Sequence, residues 1–226
     1  MIEAAIFDLD GLLIDSEEVW DAVREVYVGE HGLPYTAEVQ RAMMGMSSAE
    51  WSRYLHESVG IPDEPTAIND EVVRRMQAAY AEHLPLVPGA VEAVERVAAR
   101  FPLALASSSN RPLIDEVLEL SGLAAFFRTT VSSEEVGRGK PAPDVYLEAA
   151  RRLGVAPERC AAIEDSHAGI RSAHAAGMRV IVVPNASYPP GDDALALADA
   201  VIASLDELTP DEIGGTQGSP EGPLLP

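Results

Sequence analysis

The chain has a single cysteine, Cys160, in 226 residues, which excludes an internal disulfide framework and a cysteine-based zinc cluster. Lysine is just as scarce: Lys140 is the only one among 16 basic residues, the others all being arginine. Basic residues are outnumbered by 37 acidic ones, for a net charge of −21. That balance argues against nucleic acid or an anionic membrane as partner, since either needs a positive footprint. Also missing is any apolar run near the roughly 20 residues that a membrane helix requires. The opening MIEAAIFDLD turns acidic within three residues and has no basic leader, so no signal peptide is expected and the location expected is cytoplasmic. What is present is ordinary for a folded protein, 47% hydrophobic and 23% charged. The length suits one large domain or one carrying a sizeable insertion.

Short, continuously apolar runs recur at Ala4–Phe7, Leu103–Ala106, Thr129–Val131, Ala161–Ile163, Val180–Val183 and Ala200–Ile202. Runs of this kind are strands buried on both faces. From residue 88 on, helical stretches lie between them: 89–100, 111–121, 142–153 and 169–176. Strand–helix alternation predicts a doubly wound, Rossmann-like α/β core with a parallel sheet. Residues 16–87 break the alternation. Val19, Trp20, Val23, Val26 and Tyr27 follow a helical period, Ser47 to Glu50 is a capping box for a helix ending before Gly60, and Glu71 to His83 is a further periodic run. The expected organisation is a core of residues 1–15 and 88–213, an inserted all-helical domain over 16–87, and a disordered Gly/Pro-rich tail over 214–226.

In an open parallel sheet, ligands bind at the carboxyl ends of the strands. The first strand is followed by Asp8-Leu9-Asp10-Gly11 and the second by Ser107-Ser108-Ser109-Asn110. Beyond the third lies the loop with Lys140, and Glu164-Asp165-Ser166 ends the fourth. Taken singly, each has a plainer reading as an acidic turn or a helix cap. In this order, at the ends of successive strands, they are read as one site. Clustered carboxylates need a cation, and oxygen ligands without a cysteine or histidine cluster point to Mg²⁺. Carboxylates, Mg²⁺, one lysine and hydroxyls suit a phosphoryl group, with a carboxylate as possible nucleophile.

The segments FDLDGLLIDSE, ALASSSN, GKPAPDVY and AAIEDSHAGI resemble the four motifs of the haloacid dehalogenase superfamily, in order, over roughly residues 4–210. The nearest resemblance is to its β-phosphoglucomutase-like and sugar-phosphate phosphatase branch, with a helical cap after the first motif. The resemblance implies Asp8 as nucleophile and Asp10 as the acid that protonates the leaving alcohol and later activates water. It implies Ser107 and Lys140 as holders of the phosphoryl oxygens, helped by the Ser108 N–H. Mg²⁺ is implied at Asp8, the Asp10 carbonyl and Asp165, with Glu164 binding directly or one step removed. Gly11 would let the chain turn toward the cap, where Trp20, Met46 and Ser47 are candidate substrate contacts.

Within the superfamily, dehalogenases lack the second aspartate and phosphonatases use a cap lysine, whereas this chain has Asp10 and no lysine in residues 16–87. The mutase-like pattern has a histidine where Trp20 stands and basic residues where Met44–Ser48 lie. The expectation is therefore a monomeric Mg²⁺-dependent phosphatase acting on a small phosphorylated metabolite. A hexose-phosphate mutase is the alternative. A response-regulator receiver is disfavoured by the helical insertion and the length, and an inactive binding protein by the complete motifs. Cys160, His167, His174 and Trp51 are read as packing or capping residues, and Glu134-Glu135 and Asp192-Asp193 as solvated acidic faces.

Overall fold

The computed structural model describes residues 1–43 and 46–215. At its centre lie six strands: β1 (Ala4–Phe7), β2 (Leu103–Ser107), β3 (Phe127–Ser132), β4 (Cys160–Glu164), β5 (Arg179–Val182) and β6 (Ala200–Val201). They form one parallel sheet in the order β3-β2-β1-β4-β5-β6. β1, β2 and β4 are buried along their whole length, which is why they read as unbroken apolar runs and not as alternations.

Between β1 and β2 the chain forms α1 (Glu17–Glu30), α2 (Ala37–Met43), α3 (Ser48–Tyr54) and α4 (Pro65–Glu82). Alternating with the later strands are α5 (Ala90–Ala98), α6 (Arg111–Leu120), α7 (Asp144–Leu153), α8 (His167–Ala175) and the short α9 (Asp192–Leu195) and α10 (Pro210–Gly214). Successive strand residues serve opposite faces. Ile6, Ala104, Val131 and Val180 pack on one side with Tyr146. Phe7, Leu105, Ile163 and Ile181 pack on the other, where the apolar cluster runs on without a break into Trp20, Trp51, Leu55, Met76 and Tyr80 of the helical insertion. Each such side chain, fully buried, contributes roughly 1.5–3 kcal/mol, so the insertion and one face of the sheet are packed as one body.

Several local expectations need correction. Val26 is exposed, and the buried face of α1 is Trp20, Arg24, Tyr27 and Val28, an apolar stripe interrupted by a cation. The helix opened by the capping box, in which the Ser47 N–H donates to Glu50 Oε2 at 2.8 Å, finishes in a π-type turn over Leu55–Val59 before left-handed Gly60 at φ 94°. The last helix of the insertion, α4, begins six residues before Glu71 with Pro65 at its first position, where the missing N–H costs nothing. Residue 214, assigned to the tail, closes α10; residues 216–226 lie outside the described residues.

The two crossings between sheet and insertion are clasped to each other. The Asp15 N–H donates to the Pro85 carbonyl at 2.8 Å and the Val87 N–H to the Leu13 carbonyl at 3.0 Å, with Ile14 bridging Leu86. At the far edge of β4, α8 approaches so closely that a Cβ at Gly169 would lie 1.9 Å from Glu164 Oε1. Alanine inside a helix is ordinarily more stable than glycine by up to about 1 kcal/mol. Here the sign should reverse: overpacking of about 1–3 kcal/mol should lower the melting temperature of Gly169→Ala by roughly 3–10 °C. A variant melting at or above the wild type would show that the contact is not tight.

Candidate active site

A strand order of 3-2-1-4-5-6 reverses direction between β1 and β4, and the crevice at the carboxyl ends of those two strands is where such sheets bind ligands. Phe7 lies in register with Ile163, and the Asp8 N–H donates to the Ile163 carbonyl at 3.0 Å. Asp8 and Glu164 therefore leave the sheet side by side. Lys140, from the loop before α7, reaches between them: its Nζ donates to Asp8 Oδ1 at 2.6 Å and to Glu164 Oε1 at 2.7 Å. The lysine side chain is only 4% exposed. Burial works against its charge, but Asp8 and Glu164 outweigh it and raise its pKa above the ordinary lysine value.

Glu164 is anchored on every side. The Tyr146 hydroxyl donates to Oε1 at 2.6 Å, and Oε2 accepts from the Asp165 N–H, the Ser166 N–H and the Ser166 hydroxyl at 3.2, 3.3 and 3.1 Å. Asp165, next to it, is the opposite case: its Oδ1 is buried with no hydrogen-bond partner. One oxygen from each of Asp8, Glu164 and Asp165 falls within 4.8 Å of the others. Burial pushes the Asp8 carboxyl up to about 7 despite Lys140, with Glu164 and Asp10 adding to the rise. Asp165 is raised well above the usual carboxylate range, first by burial and then by the charges of Asp8 and Glu164. Left-handed Gly11, φ 84°, packs against this carboxylate, and a Cβ there would lie 2.0 Å from Asp165 Oδ2.

Asp10 is held by three hydroxyls. Ser16 donates to Oδ1 at 2.7 Å, while Ser107 and Ser109 donate to Oδ2 at 3.2 and 2.7 Å. The Ser107 Oγ also accepts the Ser109 N–H at 2.9 Å. Ser107 is completely buried, so its hydroxyl serves Asp10 and does not line the cavity; Ser108 does.

That cavity, of about 670 Å³, falls within the size of small-molecule sites. Its floor is Asp8, Asp10, Lys140 and Asp165, its cap-side wall is Trp20, Arg24, Met43, Met46 and Trp51, and His167, Asn185 and Tyr188 complete the rim. Trp20 packs edge-on against Trp51 at 6.0 Å, so Trp51 is at once helix packing and cavity wall. The Arg24 guanidinium lies over both indoles, 4.5 and 5.0 Å from their centres. Cation–π contact yields roughly 2 kcal/mol in such a place, less than the several kcal/mol that removing the charge from water costs.

Among the candidate cap contacts, Trp20 and Met46 line the cavity but Ser47 does not: its N–H and hydroxyl are both directed to Glu50 at the start of α3. Arg24 brings a cation to the cavity wall apart from the uncharged stretch 44–48; Met44 lies outside the described residues. His167 sits on the rim and not in the packing, and His174 is exposed. Glu134 is no mere solvated residue, since it accepts from Ser48 of the cap at 3.2 Å and from Asn110 at 2.7 Å. Cys160 is buried in β4, where burial pushes its thiol up to about 11. Ser109 has no role in the sequence reading beyond its place in the hydroxyl cluster after β2, and Ser16, Tyr146 and Arg24 have none in the site. Only Arg24 left a signal there, a charge four residues after Trp20 on the same helical face.

Residues 2–177 match the family of haloacid dehalogenase-like hydrolases. Hexitol phosphatase B of Escherichia coli K12 is 36% identical over 223 residues, covering 95% of this chain and 97% of that protein. A phosphorylated carbohydrates phosphatase of Thermotoga maritima is 35% identical over 214 residues, covering 94% and 96%. The crystal structure of CbbY from Rhodobacter sphaeroides in complex with phosphate superposes with a TM-score of 0.82 at 30% identity, over 92% of this chain and 96% of that one. With its sheet order, its strand-end carboxylates and these relatives, the chain belongs to the haloacid dehalogenase-like hydrolases and is a phosphomonoester hydrolase of that family.

Proposed function

We propose that the protein is a Mg²⁺-dependent phosphatase that hydrolyses a small phosphorylated metabolite, of the sugar-phosphate kind, through an aspartyl-phosphate on Asp8. The observation that carries this reading is the pairing of Asp8 with a buried ammonium, beside a second aspartate held by three hydroxyls, at the floor of one cavity. Lys140 favours the ionised form of Asp8 and fixes its position, so that an Asp8 oxygen attacks phosphorus as the bond to the substrate's alcohol oxygen breaks. Asp10 gives that oxygen its proton. In the second half, Asp10 takes a proton from water, the water oxygen attacks phosphorus, and the bond to Asp8 breaks to release inorganic phosphate. Residues 16–87 act as the cap, closing over the cavity on their paired crossings and excluding bulk water.

The donor set fits a hard divalent cation. Three carboxylates against one ammonium leave two negative charges uncompensated, and the orphaned Asp165 Oδ1 is a free oxygen donor. Asp8 and Asp165 would hold the ion. Glu164 already accepts five hydrogen bonds, about one more than its lone pairs accommodate well, so its role is to hold Lys140. The ion supplies neutralisation of phosphoryl charge.

Arg24 gives the mutase alternative a cation on the cavity wall, though not in the stretch 44–48; the phosphatases among the relatives support water as the final acceptor. Supplying β-glucose 1-phosphate with a trace of the 1,6-bisphosphate separates the two, and phosphate release should outrun formation of glucose 6-phosphate.

For the covalent step, Asp8→Asn should fold and lose at least ~10²–10⁴ of the p-nitrophenyl phosphate turnover; more than a tenth of wild-type activity would exclude Asp8 as nucleophile. A thermal-shift experiment tests the metal site. Asp8 and Asp165 bind a proton more tightly in the folded chain than in the unfolded one. Chelated protein should therefore be more stable below the unfolded carboxylate range and lose that stability as pH rises through about 7. Asp165→Asn should flatten this dependence, melt about 2–4 °C above the chelated wild type at neutral pH, and lose the stabilisation that Mg²⁺ gives. A variant that melts lower, with the Mg²⁺ effect intact, would remove Asp165 from the site.

A further inference from the structure

The cap wall contains a cation that phosphate release does not use. Arg24 is 9% exposed, its Nε is buried with no hydrogen-bond partner, and it lines the same cavity as Asp8 and Lys140. Asp21, one turn before it, is committed to the Tyr35 hydroxyl and the Gln40 amide. Glu17, two turns before it on the same wall, acts on it only through space, and among the described residues no acidic oxygen lies within 4.0 Å of its nitrogens. A guanidinium stays charged wherever it is placed, so it cannot escape the cost of burial by losing a proton. Both indoles lie to one side of it, their centres 4.5 and 5.0 Å away and 6.0 Å from each other, and neither offers an acceptor to its N–H groups, which are left needing a partner. The partner that a planar fork of donors fits best is a pair of anionic oxygens.

We propose that Arg24 determines specificity at the far end of the substrate by receiving a second anionic group, so that the preferred substrate is a small organic phosphate whose other end carries a carboxylate or a second phosphate. This rests on the phosphatase reading and extends it from the reacting phosphate to the rest of the molecule. Trp20 and Trp51 hold the guanidinium in place and form an apolar wall on which the carbon chain lies. Glu17, which lines the same cavity, disfavours an anion bound beside it.

The experiment compares matched substrates that differ only at the far end: 6-phosphogluconate against glucitol 6-phosphate, and fructose 1,6-bisphosphate against fructose 6-phosphate, with p-nitrophenyl phosphate alongside. For the wild type, kcat/KM should favour the doubly anionic member of at least one pair by about tenfold or more, mainly through KM. The first pair reports on a carboxylate and the second on a phosphate. Arg24→Gln should compress the ratio to within about twofold, and Arg24→Lys, with a point charge in place of the fork, should fall between. A wild type that prefers the neutral members, or treats both alike, overturns the proposal without any variant, as does a preference that survives Arg24→Gln. If the wild type releases no phosphate even from p-nitrophenyl phosphate, it is the phosphatase reading that fails. The melting-temperature shifts of the wild type with 6-phosphogluconate and with glucitol 6-phosphate then decide the role of Arg24: a larger shift with the acid supports it, and equal shifts overturn it.

Discussion

One buried ammonium between two carboxylates organises this molecule. Removing three charges from water is costly, and breaking such a cluster by deleting one member is worse than never building it. Each neighbour of Lys140 is accordingly arranged to keep it in place. Adjacent parallel strands deliver Asp8 and Glu164 in register, and Tyr146 and the backbone turn after β4 fill the remaining lone pairs of Glu164. Gly11 and Gly169 let the chain pass where any side chain would strike Asp165 or Glu164. The Asp8 carboxylate is thus fixed in place by the folded chain itself, the kind of preorganisation that electrostatic catalysis needs.

Charge is distributed unequally across the cavity. The sheet side holds Asp8, Asp10, Asp165 and Lys140, and the side of the insertion holds indoles, thioethers, the Glu17 carboxylate and a single guanidinium. Cap and core touch through more than this cavity: Ser48 meets Glu134, and Asn110 of the core donates to both Glu134 and Asn69 of the cap at 2.7 and 3.0 Å. These polar contacts can be exchanged for water at little cost. The apolar cluster shared with the sheet and the paired crossings at Ile14 and Leu86 keep the insertion attached. The strand-end carboxylates and the wall of indoles therefore come from different parts of the chain, joined where the crossings run side by side.

The fold was legible because its central strands are short and buried on both faces, so that Ala4–Phe7, Leu103–Ser107 and Cys160–Glu164 carry a purely apolar signal ended by polar residues. Helix starts were less legible: Pro65 opens α4 well before the apolar period becomes regular, and Val26 fits the period of α1 while facing outward. The clustered carboxylates and the lone lysine were legible because each sits at a strand end or in the loop beyond one, where local order dictates position. Their supports were not. Ser109 meets Asp10 across 99 positions of sequence and Tyr146 meets Glu164 across 18, and neither distance leaves a periodic trace. Arg24 was hidden differently, as a charge within a stripe that otherwise reads as core.

By itself the sequence determined the class of sheet, the order of the reactive groups along its rim and the kind of chemistry that oxygen ligands, one lysine and two aspartates permit. Those are properties of composition and local spacing, written within a few residues of each strand end. Only the tertiary structure decided which carboxylate Lys140 pairs with, which aspartate oxygen stays without a partner, that Ser107 serves Asp10 and not the cavity, and that a cation stands on the cap wall. Pairings of that kind depend on strand register and on how helices far apart in sequence pack, and a charge is assigned its partner only when burial has removed the water that would otherwise have served.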